Sequence, residues 1–243
     1  MNWKTIPLTL SLSLALLCGV SPRADGGEVP NAIAAAGIDF DSPGEDAPYR
    51  TTGGASRGSG TCLSNSESLM AITPHSQIGL TAQGHPTLLV YVPSSSGNSL
   101  ELIVAGDDGT EMVRKNLPLP IAPGIVSFSL TDADMPPLTI GKPYQWYVSL
   151  ICDDLDRSVN PVVEGWVKRI ELDANLSQKL AGETPAAYPA LYAEAGIWQE
   201  TIVTLFEQRL AQPNNPELKQ TWEQLLRSVG LGSVSEAALS TSN

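Results

Sequence analysis

Two histidines and three cysteines are all the imidazole and thiol that this chain of 243 residues offers. His75 and His85 each flank a proline, in Thr73-Pro74-His75 and Gly84-His85-Pro86. Neither lies beside a cysteine pair or a second histidine at helical spacing, so turn positions are expected of them rather than general-base or metal-ligand roles. The chain also lacks a Cys-x-x-Cys pair, a zincin helix and a glycine-rich phosphate loop, and no cofactor is expected. Basic residues are scarce: 14 Lys and Arg stand against 26 Asp and Glu, for a net charge of -12. Acids scattered along the chain repel a polyanion, which excludes a nucleic-acid footprint. Beyond the amino end, no apolar run approaches the ~20 residues that a spanning helix needs.

What the amino end does carry is Lys4, an apolar run from Leu8 to Leu17, then Cys18, Gly19 and Val20 before Ser21-Pro22-Arg23. A positive start, a short apolar middle and small residues form the pattern of a secretory signal peptide, expected over residues 1–24. Leu17 stands where a lipid-modified Cys18 would have a small residue before it, so lipidation is not expected. Cleavage leaves about 220 residues, enough for one large domain, with no stable membrane span. Cys62 and Cys152 then remain, and two cysteines in an exported protein are expected to pair.

Residues 25–60 are rich in Gly, Ala, Pro, Asp and Ser and hold few bulky side chains. They bury too little apolar surface to offset their ordering entropy, which predicts a disordered linker. Gly54-Ala55-Ser56-Arg57-Gly58 has the spacing of a hydrolase nucleophile elbow but sits in this linker, without the strand and helix that the motif requires.

From 61 to 172 short apolar runs alternate with turn residues. Thr87–Val92, Leu100–Val104, Gly124–Leu130, Tyr144–Cys152 and Val162–Leu172 read as strands, and Asp107-Asp108-Gly109 reads as a hairpin turn. Their spacing, without a long helix between them, predicts an antiparallel immunoglobulin-like β-sandwich. Tyr144, just after Gly141, resembles the tyrosine that pins such a corner to the backbone upstream. Tyr144, Trp146 and Val148 are expected on one face, and Gln145 and Tyr147 on the other.

Residues 173–243 turn helical, giving an α+β class. Asp173 caps a helix that Gly182 closes. Asn215-Pro216 opens another, with Leu218, Trp222, Leu225 and Val229 at spacings of three and four before Gly230. Between them, two helices meet near Gly196. Tyr192, Gly196, Trp198, Leu205 and Pro213-Asn214-Asn215 resemble one tetratricopeptide unit, with Thr201 and Gln208 departing from its small residues. One unit cannot bury its own apolar face, so a helical cap packed on the sandwich is expected.

Asp154, Asp156, Ser158 and Asn160 alternate like calcium-loop ligands, but Val159 replaces the turn glycine and Gly165 stands where the bidentate glutamate belongs. A solvated loop is expected there. Carboxylate pairs such as Glu101 with Asp107 or Asp153 with Glu164 come readily in an acidic chain, and spacing in sequence does not establish the separation that glycosidase chemistry needs; Trp146, Tyr147 and Trp166 could stack on a sugar, but they lie on strands where core packing explains them equally well.

Several blocks taken together are distinctive. They are Gly79-Leu80-Thr81, the run Pro86–Pro93, Leu117-Pro118-Leu119-Pro120, Pro123-Gly124-Ile125-Val126-Ser127, Tyr144-Gln145-Trp146-Tyr147, Ile151-Cys152-Asp153, Asp156-Arg157-Ser158, Val163-Glu164-Gly165-Trp166-Val167 and Leu191-Tyr192-Ala193-Glu194-Ala195-Gly196-Ile197-Trp198. Through them, Cys62 to about Leu231 resembles the family grouped as domain of unknown function 928, found chiefly among exported proteins of photosynthetic bacteria with two membranes. The resemblance implies export and one domain that includes the helical tail, and brings no catalytic residue with it. The expectation is an exported, non-enzymatic binding or assembly module of the cell envelope, with an envelope protein or glycan as partner. The alternative is an envelope polysaccharide hydrolase acting through paired carboxylates.

Overall fold

The computed structural model describes residues 37–41, 46–47, 62–64, 67–74 and 77–241. The signal peptide, the Ser56 elbow, His75 and most of the linker lie outside them.

The strand expectations hold closely. β3 (Thr87–Val92), β4 (Ser99–Gly106), β6 (Gly124–Ser129), β7 (Pro143–Ile151) and β8 (Val162–Arg169) fall on the alternating runs, and β5 (Glu111–Leu117) returns from the Asp-Gly turn. Gly109 takes φ 80° in that turn, a conformation that costs a residue with a Cβ. Short strands β1 (Met70–Ala71), β2 (Gly79–Thr81) and β9 (Leu239–Thr241) complete two sheets. One has four strands in the order β1-β3-β6-β9, and the other has five in the order β2-β8-β7-β4-β5.

Both sheets are mixed, which corrects the antiparallel expectation. β2 pairs parallel to β8, and β9 pairs parallel to β6. Strands of two or three residues hold too little of the period-two pattern to be legible, and parallel pairing needs long crossovers that local turn signals do not reveal. Gly124 lets β9 approach: a Cβ there would strike the Ala238 carbonyl, which instead accepts a 2.7 Å hydrogen bond from the Ile125 N–H.

One core joins the facing sides of the two sheets. Leu88, Val90 and Phe128 of the four-stranded sheet meet Leu102, Trp146 and Val148 of the five-stranded one. Tyr144, Trp146, Val148 and Leu150 are buried while Gln145, Tyr147 and Ser149 are half-buried, as alternation predicts. The Trp146 indole lies against Gly165, where a Cβ would come within 2.8 Å of its Nε1. The Tyr144 phenol accepts a 3.2 Å hydrogen bond from the Thr139 N–H, the upstream backbone contact expected of it.

The opposite side of the four-stranded sheet carries the helical layer. α1 (Ala174–Gly182), α2 (Tyr188–Glu194), α3 (Trp198–Ala211) and α4 (Pro216–Ser228) follow β8. The Asp173 and Asn215 side chains cap α1 and α4. α2 and α3 meet at Gly196, with φ 69°. α2 has only seven residues against fourteen in α3, an unequal pair in which Pro185 and Pro189 restrict the start of the first. Trp198, Ile202, Phe206 and Trp222 pack with Leu89 and Ile125 of the sheet in a second core. The Trp198 Nε1 donates to the Ile72 carbonyl at 3.1 Å.

Two findings extend this body beyond the expected sandwich and helical cap. β9 comes from the tail, so residues expected to be wholly helical complete a sheet. Ile38 and Phe40 of the expected linker are buried in the second core, and the Phe40 ring meets Trp198 edge-on at a centroid distance of 5.0 Å. Averaged composition concealed them: two apolar residues at i and i+2 suffice to dock a short stretch that is otherwise polar.

Candidate functional site

The first test is whether folding gathers the candidate catalytic groups. Glu101 lies within β4 and Asp107 just past its end, so six residues of extended chain set them ~20 Å apart. Glycosidase pairs stand ~5–10 Å apart. Glu101 is instead a buried carboxylate clamped by two cations: Arg114 Nη1 at 3.0 Å and Arg157 Nη2 at 3.3 Å. Glu111, and then Glu101, hold the Arg114 guanidinium more firmly protonated than usual. Asp107 pairs with Lys142 at 3.4 Å. In the second pair, the Asp153 carboxylate accepts the Leu155 and Asp156 N–H groups, whereas Glu164 lies on β8 opposite Tyr147 and accepts from the Gln145 amide. Burial, and then Glu164, raise the Tyr147 phenol above its ordinary pKa.

Trp146 and Trp166 are both buried, so neither offers a ring face to a sugar; Tyr147 is half-buried on the outer face of the five-stranded sheet. His85 donates from Nε2 to the Met135 carbonyl at 2.9 Å, and its Nδ1 lies 3.5 Å from Asp132. That ring ties the β2–β3 turn to the segment before β7. Among the described residues no three His, Cys, Asp or Glu side chains gather in a metal-binding group.

The expected solvated loop between β7 and β8 is built with more order than its composition suggests. Asn160 is buried at its base, where Oδ1 accepts from the Cys152 N–H at 2.8 Å and the Asp153 N–H at 3.0 Å, and Nδ2 donates to the Asp153 carbonyl. Asp156 Oδ1 accepts from the Ser158 N–H and hydroxyl, which holds the Asp156 carboxyl below its ordinary pKa. The Asp156 and Asn160 oxygens, two of the alternating candidates, thus serve Ser158 and the backbone. Cys152 forms the expected disulfide with Cys62, at a Cα–Cα distance of 5.5 Å, and Arg157 fastens the far side of the loop to Glu101. Leu155, at the tip, is 98% exposed.

That loop shares one end of the fold with two others. β3 ends and β4 begins around residues 93–98, β5 ends and β6 begins around 118–123, and β7 ends and β8 begins around 152–161. Backbone bonds tie the first of these loops to the disulfide-bearing segment and to the end of β7: the Ser96 N–H donates to the Cys62 carbonyl and the Asn98 N–H to the Ile151 carbonyl, both at 2.8 Å. Between the first two loops lies a shallow cavity of about 80 Å³, walled by Pro93, Leu119, Pro120 and Pro123. Ile121 on its rim is 109% exposed. Sequence reasoning passed over Ile121 and Leu155. The available signal was a lone large aliphatic residue inside a turn segment, flanked by aspartates in one case and by Pro120 and Pro123 in the other.

A family model described as Domain of Unknown Function (DUF928) matches residues 52–239. The chain belongs to that family. The DUF928 match runs through both cores, all four helices and the three loops of the disulfide-bearing end, and it reaches the first residue of β9. Ile38 and Phe40 lie before it. No curated protein matches the chain.

Proposed function

We propose that this chain is an exported, non-enzymatic binding or assembly module of the cell envelope, and that its contact surface is the disulfide-bearing end of the two-sheet body. One observation carries the reading: Ile121 and Leu155, two large aliphatic side chains, stand in water at the same end of the fold, while among the described residues the other large apolar side chains, Ile140 apart, are at least half-buried. Single exposed apolar residues are ordinary, but apolar anchors on loops at one end of a rigid scaffold are how sandwich domains present a binding surface. The disulfide supports passage through an oxidising compartment, in agreement with the signal-like amino end. Among the described residues no helix is long and apolar enough to cross a membrane. Within this reading, the Tyr144 contact is a tyrosine corner, the two sheets form an immunoglobulin-like sandwich in the broad sense, and α2 with α3 acts as one tetratricopeptide-like unit spent on covering the sheet.

The test is site-specific photo-crosslinking in the native envelope. A photoreactive residue at position 121 or 155 should give discrete protein adducts, and the same residue at exposed Lys219 on α4 should not. Adducts at 219 alone, or none at any position, would remove the reading.

A further inference from the structure

We propose that the Leu155 loop docks into a partner protein, at an apolar cleft rimmed by Lys and Arg side chains. The inference rests on the binding reading above and names the chemistry of its partner.

Leu155 stands 98% exposed at the tip of the loop between β7 and β8. A solvent-facing leucine gains nothing for folding, and this one sits on a loop braced from both sides. Asn160 clamps both chain directions at the base, Asp153 and Asp156 close successive turns on either side of the tip, the disulfide holds the entry, and the Arg157–Glu101 pair holds the exit. A tip held in one conformation loses little further freedom on docking, which is what preorganisation contributes to affinity. Full burial of one leucine side chain corresponds to about a 10- to 100-fold gain in Kd.

The rim decides the partner's charge. Asp153, Asp154 and Asp156 surround the tip, all exposed, on a chain whose net charge is -12. The loop's one cation, Arg157, is already paired with buried Glu101. An apolar centre inside an acidic rim matches an apolar centre inside a basic rim. A second copy of this chain would present like charge, an anionic lipid surface would repel the aspartates, and the loop carries no aromatic ring for a sugar face. A basic-rimmed protein cleft satisfies both the leucine and the aspartates.

The closing experiment uses the mature chain with its disulfide intact, and as probes a displayed library of random peptides and vesicles of phosphatidylglycerol. Peptides enriched on the protein should combine Leu, Ile or Phe with Lys or Arg. Their binding should weaken 10- to 100-fold in Leu155→Ala, weaken further with added salt, and lose salt dependence in part in Asp154→Asn. Far-ultraviolet circular dichroism and an unchanged urea midpoint would show that both variants are folded. Enriched peptides without an excess of positive charge, peptides that bind Leu155→Ala as well as the parent, binding to the vesicles, or no enrichment would each overturn the proposal. Adducts at 121 and 155 in the envelope would survive any of those results if only the partner chemistry is wrong, and would vanish if the wider reading is.

Discussion

Removing the Cys62–Cys152 bridge tests stability and the order of the loop between β7 and β8 together. The two cysteines are 90 residues apart in sequence, and a loop of that size implies about 4.6 kcal/mol of unfolded-state entropy restriction in the chain-entropy model. The bridge lies at the edge of the first core, with Cys62 buried and Cys152 half-buried, so Cys62→Ala with Cys152→Ala sacrifices little packing. The loss should therefore approach the entropic figure. With a urea m value of about 2.5 kcal/mol per molar, the unfolding midpoint drops by about 2 M. The assay is equilibrium urea unfolding, followed by tryptophan fluorescence, of the oxidised parent, the reduced parent and the double variant. Reduction should bring the parent to the variant's midpoint and leave the variant where it was. Hydrogen exchange should show faster exchange at the Asp153 and Asp156 amides, because Cys152 anchors the base of their loop. A midpoint shift below about 0.4 M with m unchanged, equivalent to roughly 1 kcal/mol, would refute the view that this bridge is a principal constraint on the chain.

Gly165→Ala would drive a methyl into the Trp146 indole; overpacking of this kind costs about 1–3 kcal/mol. The double variant with Trp146→Phe should recover part of that loss in denaturant unfolding, as coupled neighbours do. Phe40→Ala should lower stability by about 3 kcal/mol, and an unchanged midpoint would mean that the linker contact with Trp198 contributes nothing. Glu200 on α3 accepts the Thr81 hydroxyl at 2.8 Å and the Ala82 N–H at 3.0 Å, while its Oε2 has no hydrogen-bond partner among the described residues. Burial, the largest influence, raises its pKa above the ordinary glutamate value despite those donors. The folded state thus holds this proton more tightly than the unfolded one. Its contribution is full below the unfolded pKa of about 4.5 and is lost as pH rises through the folded value. Unfolding across that window should show less decline with pH in Glu200→Gln than in the parent.

Much of the local structure was readable because local chemistry makes it. Asp173 and Asn215-Pro216 announce their helices through caps that need only neighbouring residues, Asp107-Asp108-Gly109 announces a hairpin, and alternation from Tyr144 to Ile151 sorts the inner from the outer face of β7. The Cys62–Cys152 pair followed from number and setting. The site was less legible. Whether Glu101 stands beside Asp107 or beneath Arg114 and Arg157 depends on strand geometry, and whether Trp166 meets solvent depends on what covers it.

By itself, the sequence determined the α+β class, the main strands, the helix caps, the single disulfide and the membership of the DUF928 family, each from spacing, residue type or motif blocks read along the chain. Only the tertiary structure decided that both sheets are mixed, that the tail returns as β9, that Ile38 and Phe40 dock on the helices, and that Ile121 and Leu155 remain outside at one end. These outcomes depend on contacts between residues far apart in the chain, where the free energy of burial is shared by partners that no local pattern brings together.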